Sequence, residues 1–381
     1  MAIGLGCLGA LWAVGYFLRS YGGQALRSEA GPDPVTAWLI ALAGVAALVL
    51  AAFALAGPVA RRYGRSRRPV ALVAAALALM AEPVRAAIGL GHLDLLLFGL
   101  VTADVVALRR SAWARRRAAW WPGPAASRPP RGRLGTLRRC WSTGTWAGAG
   151  IGVASALAFT PMLFILYLVV TRRWRPALIA AGTAAALRLT ALPAGSPGPV
   201  PIDGESPIGD PANQSLAGLL ARLYDSSSTP VLVWLSFAAL LLAVGLIRAR
   251  AAHADGDEIA AFTLVGLTGA AIAPVTSGHE LIWMLPAVLI LVDAAARLRA
   301  SRRRRRPRRP TGLGYAGAAL AIYLIMAAPP EWTVSWNAYA FTVILLMNAL
   351  PWRPGVVPAI RPVRRPVEPA RVPAIPGPRG S

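Results

Sequence analysis

Long apolar blocks alternate along this chain with short polar or basic segments. Three of the clearest blocks cover residues 35–57, 230–247 and 312–328. Because a helix rises about 1.5 Å per residue, roughly 20 residues cross the ~30 Å hydrocarbon core of a bilayer. Along the whole chain, this pattern predicts an all-α polytopic membrane protein with about 12 transmembrane helices.

The same pattern divides the chain into a multi-span membrane domain, residues 1–351, and a cytoplasmic tail rich in Pro and Arg, residues 352–381. Within the membrane domain, residues 109–145 form a basic cytoplasmic linker that is partly disordered or lies at the interface, and residues 193–229 form the largest outer loop. The first apolar block has no basic start and no small-residue cleavage site, so we expect a retained span.

One block does not fit a single crossing. Residues 146–170 lie between two basic segments, which places both ends of the block on the cytoplasmic side. Thr160 and Pro161 lie in its middle, and proline interrupts the hydrogen-bond ladder of a helix. We therefore predict two short helices that meet near the outer face, where protein or a water-filled cavity covers the broken backbone.

The charge distribution supports this topology. The chain carries 40 Lys and Arg against 16 Asp and Glu, a net charge of +24. The basic runs at residues 61–68, 109–117, 172–175 and 302–309 all separate apolar blocks, as cytoplasmic loops do. A nucleic-acid partner would need a folded polar surface, so we expect none. The prediction is a multi-pass plasma-membrane protein with both termini in the cytoplasm.

The first group of polar residues on the outer side contains Glu82 and Arg85, followed by His92 and Asp94. Cations are scarce on that side, so Arg85 is a candidate for binding a phosphate through its guanidinium group. Two alternatives remain open: an ion pair with Glu82 at i, i+3 spacing, or extension of Arg85 into the lipid headgroups.

The second group is His279 and Glu280, with Trp283 one helical turn later. A histidine beside a carboxylate at the mouth of a span can transfer protons or bind a ligand oxygen. The alternative is a plain interfacial turn, with Trp283 in an aromatic belt.

The third group is Asn213, Gln214 and Ser215 in the large outer loop. Amides donate and accept hydrogen bonds, so they suit sugar hydroxyls. The alternative is a helix start in which Asn213 or Ser215 is the N-cap. Asn-Gln-Ser also fits the weak three-residue pattern for N-glycosylation.

Motifs for cofactors are missing from the sequence. The chain has no Walker loop, no dinucleotide fingerprint and no H-E-x-x-H motif, and its two cysteines, Cys7 and Cys140, are far apart. No cluster of metal ligands is visible in the sequence. We therefore expect neither a cofactor nor a metal.

Taken together, these segments resemble the bacterial polyprenol-phosphate-mannose-dependent α-(1,2)-mannosyltransferases of glycosyltransferase family 87, which have the glycosyltransferase C architecture. The resemblance covers about residues 80–290 and rests on four stretches in the family's order. They are residues 82–97 ("EPVR" through "LGHLDLLL"), 160–175 ("TP" through "TRRWR"), 213–216 ("NQSL") and 274–286 ("PVTSGHE" through "WMLP").

The resemblance implies an inverting transfer of a hexose, typically mannose, on the outer face. The donor is a polyprenyl-phosphate sugar, and the acceptor is a hydroxyl of a lipid-anchored or cell-envelope glycan. A carboxylate acts as the base toward that hydroxyl. The positions implied to bind the donor phosphate or sugar are Arg85, His92, Asp94, Asn213, Gln214, His279 and Glu280.

The chain departs from the family pattern in several places. Glu280 replaces the second histidine of a His-His pair, Ser277 replaces the tryptophan before it, and residues 92–94 (His-Leu-Asp) replace Gln-Val-Asn. The family's base is an aspartate in a long first outer loop, whereas this loop, residues 20–34, offers only Glu29 and Asp33 as candidates. The family's lysine before "LTP" aligns with Ala158. An active transferase, a catalytically weakened or inactive relative, and a transporter-like or lipid-handling scaffold are the three interpretations. The last predicts inverted repeats with matching breaks, and the chain has one such break.

Overall fold

The computed structural model describes residues 34–120, 132–191, 210–224, 231–302 and 312–353. Its regular elements in these ranges are all helices. The first eight are α1 Pro34–Arg62, α2 Arg67–Met80, α3 Glu82–Gly89, α4 Asp94–Trp120, α5 Gly132–Thr143, α6 Ala149–Leu157, α7 Met162–Val170 and α8 Trp174–Ala191. The others are α9 Leu216–Leu223, α10 Val231–Ala254, α11 Glu258–Ile272, a 3₁₀ helix Gly278–Trp283, α12 Met284–Arg302, α13 Leu313–Ala327, α14 Pro330–Ser335 and α15 Ala338–Ala349.

The all-α class is confirmed, but the count of about 12 spans is not. Among the described residues, three helical segments are long and apolar enough to cross a membrane: Val35–Arg62, Val231–Ala254 and Gly278–Ala300. A fourth is added if α2 and α3, which meet at a 71° bend, form one broken span. Several other predicted crossings are short helices, and a nine-residue helix such as α6 extends only about 14 Å.

The broken block is confirmed. Helix α6 ends at Leu157 and α7 begins at Met162, with the backbone of Ala158 extended between them. Each half-helix has a buried face, on which Ile151 and Phe164 are fully enclosed, whereas Met162 and Leu166 are 41% exposed. The interruption itself is half-buried, as expected for broken backbone that protein or a cavity covers.

Close backbone approaches hold α6 between α4 and α8. A Cβ atom at Gly150 would lie 2.5 Å from the carbonyl oxygen of Leu100, and one at Gly152 would lie 2.5 Å from that of Ala180. Asp104 of α4 accepts hydrogen bonds from the backbone N–H of Gly148 and Ile151 and so satisfies the first turn of α6.

Helix α11 is the centre of the fold, because every residue from Ile259 to Ile272 is buried. Small residues on this helix let its neighbours approach closely, which is how membrane helices gain packing energy. Aromatic rings complete the core: Phe262 lies 5.3 Å from Phe164 and 5.2 Å from Tyr167, measured between ring centroids.

The basic linker is helical in its described parts. Helix α4 continues to Trp120, and α5 packs against it through Arg110, whose guanidinium lies 5.1 Å from the ring centroid of Trp141. Trp141 also stacks on Trp146 at 5.3 Å. In these parts the linker therefore packs on the helical body, and its cytoplasmic location stays a prediction.

The last described residues form what we term the C-terminal clamp, Trp352 and Arg353. The Trp352 indole donates a hydrogen bond to Asp255 at 2.7 Å, between α10 and α11. The Arg353 guanidinium donates to Asp293 of α12 at 2.8 Å, and Tyr63, just after α1, also donates to Asp293 at 3.2 Å. The clamp thus joins the end of α1, the turn between α10 and α11 and the middle of α12, which are far apart in sequence.

Candidate active site

A cavity of about 430 Å³ lies where three segments meet. Its walls come from residues 90–101 at the start of α4, residues 157–161 at the break between α6 and α7, and residues 273–283 around the 3₁₀ helix. Its polar lining consists of His92, Asp94, Thr160, Ser277, His279 and Glu280. The cavity therefore brings together four of the nine site residues predicted from the sequence, namely His92, Asp94, His279 and Glu280.

A tight turn places the first two of these residues. Gly91 has a φ of +67°, a left-handed conformation that favours glycine, and the His92 N–H donates to the Ala87 carbonyl at 2.9 Å. Helix α4 then begins at Asp94, whose carboxylate lies in the first turn. A negative charge there is stabilised by the partial positive charge of the helix N-terminus.

The structure joins this turn to the distant 3₁₀ helix. His279 Nδ1 lies 2.8 Å from Asp94 Oδ2, and the two side chains are 13% and 21% exposed. The His92 ring stacks on the His279 ring with centroids 3.9 Å apart and planes 13° from parallel. Glu280 lines the same cavity. Two imidazoles and two carboxylates thus share one partly enclosed space.

Asn213 fixes the loop that carries His279. Its Oδ1 accepts hydrogen bonds from the N–H groups of Thr276 and Ser215 at 3.0 and 3.1 Å, and its Nδ2 donates to the Pro274 carbonyl at 3.1 Å. The side chain is only 2% exposed. Asn213 therefore shapes the cavity wall from behind, which differs from the expected contact with a sugar.

Gln214 and Ser215 continue this arrangement. The Gln214 N–H donates to the Thr276 carbonyl at 2.8 Å, and Gln214, like Asn213, is outside the cavity lining. Ser215 Oγ accepts from the Gly218 N–H at 3.1 Å, which makes Ser215 the N-cap of α9. The helix-start interpretation is thus confirmed for Ser215.

Arg85 is exposed on α3 and does not line the cavity. Its neighbour Glu82 accepts a hydrogen bond from the Tyr339 hydroxyl at 3.2 Å and lies against Gly278, so α3 borders the 3₁₀ helix. In the part of the chain that the structure describes, no ion pair joins Glu82 to Arg85. Arg85 therefore lies beside the site, on an exposed part of α3.

Trp283 is buried, which contradicts the alternative that placed it in an aromatic belt. It is 8% exposed, and its ring centroid lies 5.0 Å from those of both Phe98 and Phe164. The indole packs directly against Gly266, where a Cβ atom would lie 2.1 Å from Trp283 Cδ2. The side chain does not lie at a membrane interface because it packs against aromatic rings in the interior.

The cavity wall also contains Ala158, at the position where the family pattern has lysine. The described lining includes no Arg or Lys. The candidate bases Asp33 and Glu29 lie outside the described residues. Thr160 and Ser277 line the cavity but were not singled out from the sequence. Both flank a break in helical structure, which is the signal that could have indicated them.

These features define a helical membrane protein with a polar cavity at a broken span. The family model for glycosyltransferase family 87 matches residues 29–277, and the chain belongs to that family. No solved structure matches this chain.

Curated relatives share the family. A polyprenol-phosphate-mannose-dependent alpha-(1-2)-phosphatidylinositol mannoside mannosyltransferase of Mycolicibacterium smegmatis is 29% identical over 277 residues, covering 68% of this chain and 53% of the relative. Its counterpart in Mycobacterium tuberculosis is 27% identical over 228 residues, covering 58% and 46%. A pentamannoside mannosyltransferase of the same dependence from M. tuberculosis is 24% identical over 303 residues, covering 72% and 58%. The chain spans about half the length of the first two relatives.

Proposed function

We propose that this chain is a membrane glycosyltransferase that uses a polyprenyl-phosphate hexose, mannose first among them, as its donor. The acceptor is a hydroxyl of a lipid-anchored or cell-envelope glycan on the outer face. The observation that supports the proposal most directly is the cavity in which Asp94, His279 and Glu280 meet. Family membership and the donor named for the relatives agree with it.

The reaction is a single displacement at the sugar's anomeric carbon. The acceptor oxygen forms a bond to that carbon while the bond to the phosphate oxygen breaks, so the configuration inverts. The acceptor proton passes to a carboxylate, and polyprenyl phosphate leaves with the bonding electrons. We assign the carboxylate to Asp33 or Glu29, the acidic residues of the first outer loop.

The cavity residues position the donor. Asp94 forms a hydrogen bond with His279 Nδ1 and so orients the imidazole ring. The other ring nitrogen is then available to a sugar or phosphate oxygen. Arg85, exposed on the neighbouring helix, is the available cation for the phosphate as it approaches. Asn213 and Gln214 act indirectly, by holding the loop of His279 in place.

The test measures transfer of radiolabelled mannose from polyprenyl-phosphate mannose in membranes containing the protein and a mycobacterial glycolipid extract. His279→Gln should lower transfer at least about tenfold, because an interaction with the reacting groups is lost. Of Asp33→Asn and Glu29→Gln, the one that removes the base should lower transfer by about 100-fold or more.

The matched control is His253→Gln, because His253 also lies 3.0 Å from a carboxylate, that of Glu258, but outside the cavity. Undiminished transfer in both Asp33→Asn and Glu29→Gln would remove the base assignment. If folded wild-type protein transfers no hexose at all, the inactive-relative interpretation replaces this proposal.

A further inference from the structure

The cavity contains a cluster of potential metal ligands, His92, Asp94 and His279, which we term the His–Asp–His cluster. One ligand atom from each residue lies within 4.8 Å of the ligand atoms of the other two. The three residues are half-buried, so a small ion can reach them while the surrounding helices hold them in place. No sequence motif indicated the cluster, because its members are up to 187 positions apart (279 − 92).

The ligand types fit a particular class of ion. Two imidazoles and one carboxylate suit first-row divalent cations such as Zn²⁺ and leave coordination positions open. Tetrahedral Zn²⁺ with bonds of about 2.0–2.1 Å places its ligand atoms about 3.3 Å apart. His279 Nδ1 and Asp94 Oδ2 are already 2.8 Å apart, and a ring nitrogen of His92 lies within 4.8 Å of its counterparts in the cluster.

The charge in the cavity calls for a cation. Asp94 contributes a carboxylate, the Glu280 carboxyl group lines the same wall, Glu82 lies against Gly278 at the edge, and the described lining has no Arg or Lys. An anionic donor phosphate would meet like charges here, at an energetic cost that rises as water is excluded. A divalent ion offsets the carboxylates and attracts the phosphate.

We propose that the His–Asp–His cluster binds one divalent first-row transition-metal ion, with Zn²⁺ as the best fit, on the wall of the donor cavity. This replaces the expectation, based on the sequence, that the site holds no metal. The claim that an ion binds depends only on the geometry of the cluster. The role of that ion, which is to offer the donor phosphate a positive charge that Ala158 does not provide, rests on the proposed function.

The experiment uses full-length protein, purified with a histidine-free tag, stripped with chelator and dialysed against Zn²⁺. Metal content is then measured by mass spectrometry, with Co²⁺ absorption as a second readout of the ligand geometry. Wild type should bind one ion per chain at the cluster. His92→Gln and Asp94→Asn, which keep size and polarity, should weaken binding by more than about tenfold.

The control is again His253→Gln, which removes a histidine and leaves the cluster intact, so its metal content should equal that of wild type. Size-exclusion profiles establish that each variant is folded. Folded wild type without a bound ion overturns the proposal. Binding that His92→Gln and Asp94→Asn leave unchanged does so as well, since it marks an adventitious site.

A transfer assay separates this proposal from the proposed function. Loss of transfer on chelation, with recovery on adding Zn²⁺, supports both. A bound ion in a protein that transfers no hexose leaves the metal site standing and removes the function. Full transfer by metal-free protein leaves the function standing and removes the task assigned to the ion.

Discussion

Asn213 illustrates how a single buried amide can determine the shape of a site. Its three hydrogen bonds to Thr276, Ser215 and Pro274 connect two segments that are about 60 positions apart. These three partners are backbone groups, so the amide fixes the course of the loop. The position of His279, three residues after Thr276, follows from that course.

Asn213→Ala should therefore destabilise the protein by about 2–3 kcal/mol, because buried backbone groups of the 274–276 loop lose their partner. The measurement is thermal unfolding in detergent, followed with a fluorescent probe. Asn348→Ala is the matched control, since Asn348 is exposed and donates only to the Ile344 carbonyl. Equal melting temperatures for Asn213→Ala and wild type would contradict this assignment.

At the scale of elements, the packing of α11 against the 3₁₀ helix holds one wall of the cavity. Gly266 is the point of contact, since the Trp283 indole occupies the space that a side chain would need. Such contact between a glycine and an aromatic ring lets two helical segments approach more closely than ordinary side chains permit. The wall therefore depends on the smallest residue available.

Gly266→Ala should cost about 1–3 kcal/mol, because the added methyl group overpacks a filled interior. It should also lower transfer, since Trp283 and with it the 3₁₀ helix must shift. Gly182→Ala in α8 is the control: a Cβ there meets no atom within 4 Å, and alanine favours a helix. The melting temperature of both variants is the measurement, and equal values would show that the wall adjusts freely.

The elements also show what the sequence could indicate. The apolar blocks predicted the helices, and Pro161 predicted the break between α6 and α7. Both predictions were possible because helix formation and its interruption by proline depend on nearby residues. The number of membrane crossings could not be predicted in this way, because short apolar helices and long membrane-spanning helices have the same composition. Of the nine predicted site residues, His92, Asp94, His279 and Glu280 line one cavity, and the roles of all nine stay predictions. Asn213 and Trp283 are buried by tertiary packing, which the local sequence does not indicate. The contact between His279 and Asp94 likewise joins residues 185 positions apart.

At the scale of the whole molecule, the predicted orientation places the basic linker in the cytoplasm. Cys140 is a natural reporter, because it is exposed on α5 within that linker. In a Cys7→Ala background, a membrane-impermeant maleimide should label Cys140 only after the cells are permeabilised. Labelling in intact cells would reverse the topology and move the cavity to the opposite side.

The C-terminal clamp has a consequence for how the chain is made. A ribosome releases residues in order, so Trp352 and Arg353 emerge after every helix that they join. Until then Asp255 and Asp293 lack these two partners, and the helix ends are held less firmly. The last of these helix contacts therefore forms only after this part of the chain has been synthesised. A nascent chain that stalls earlier lacks them, so we expect it to be more accessible to membrane proteases.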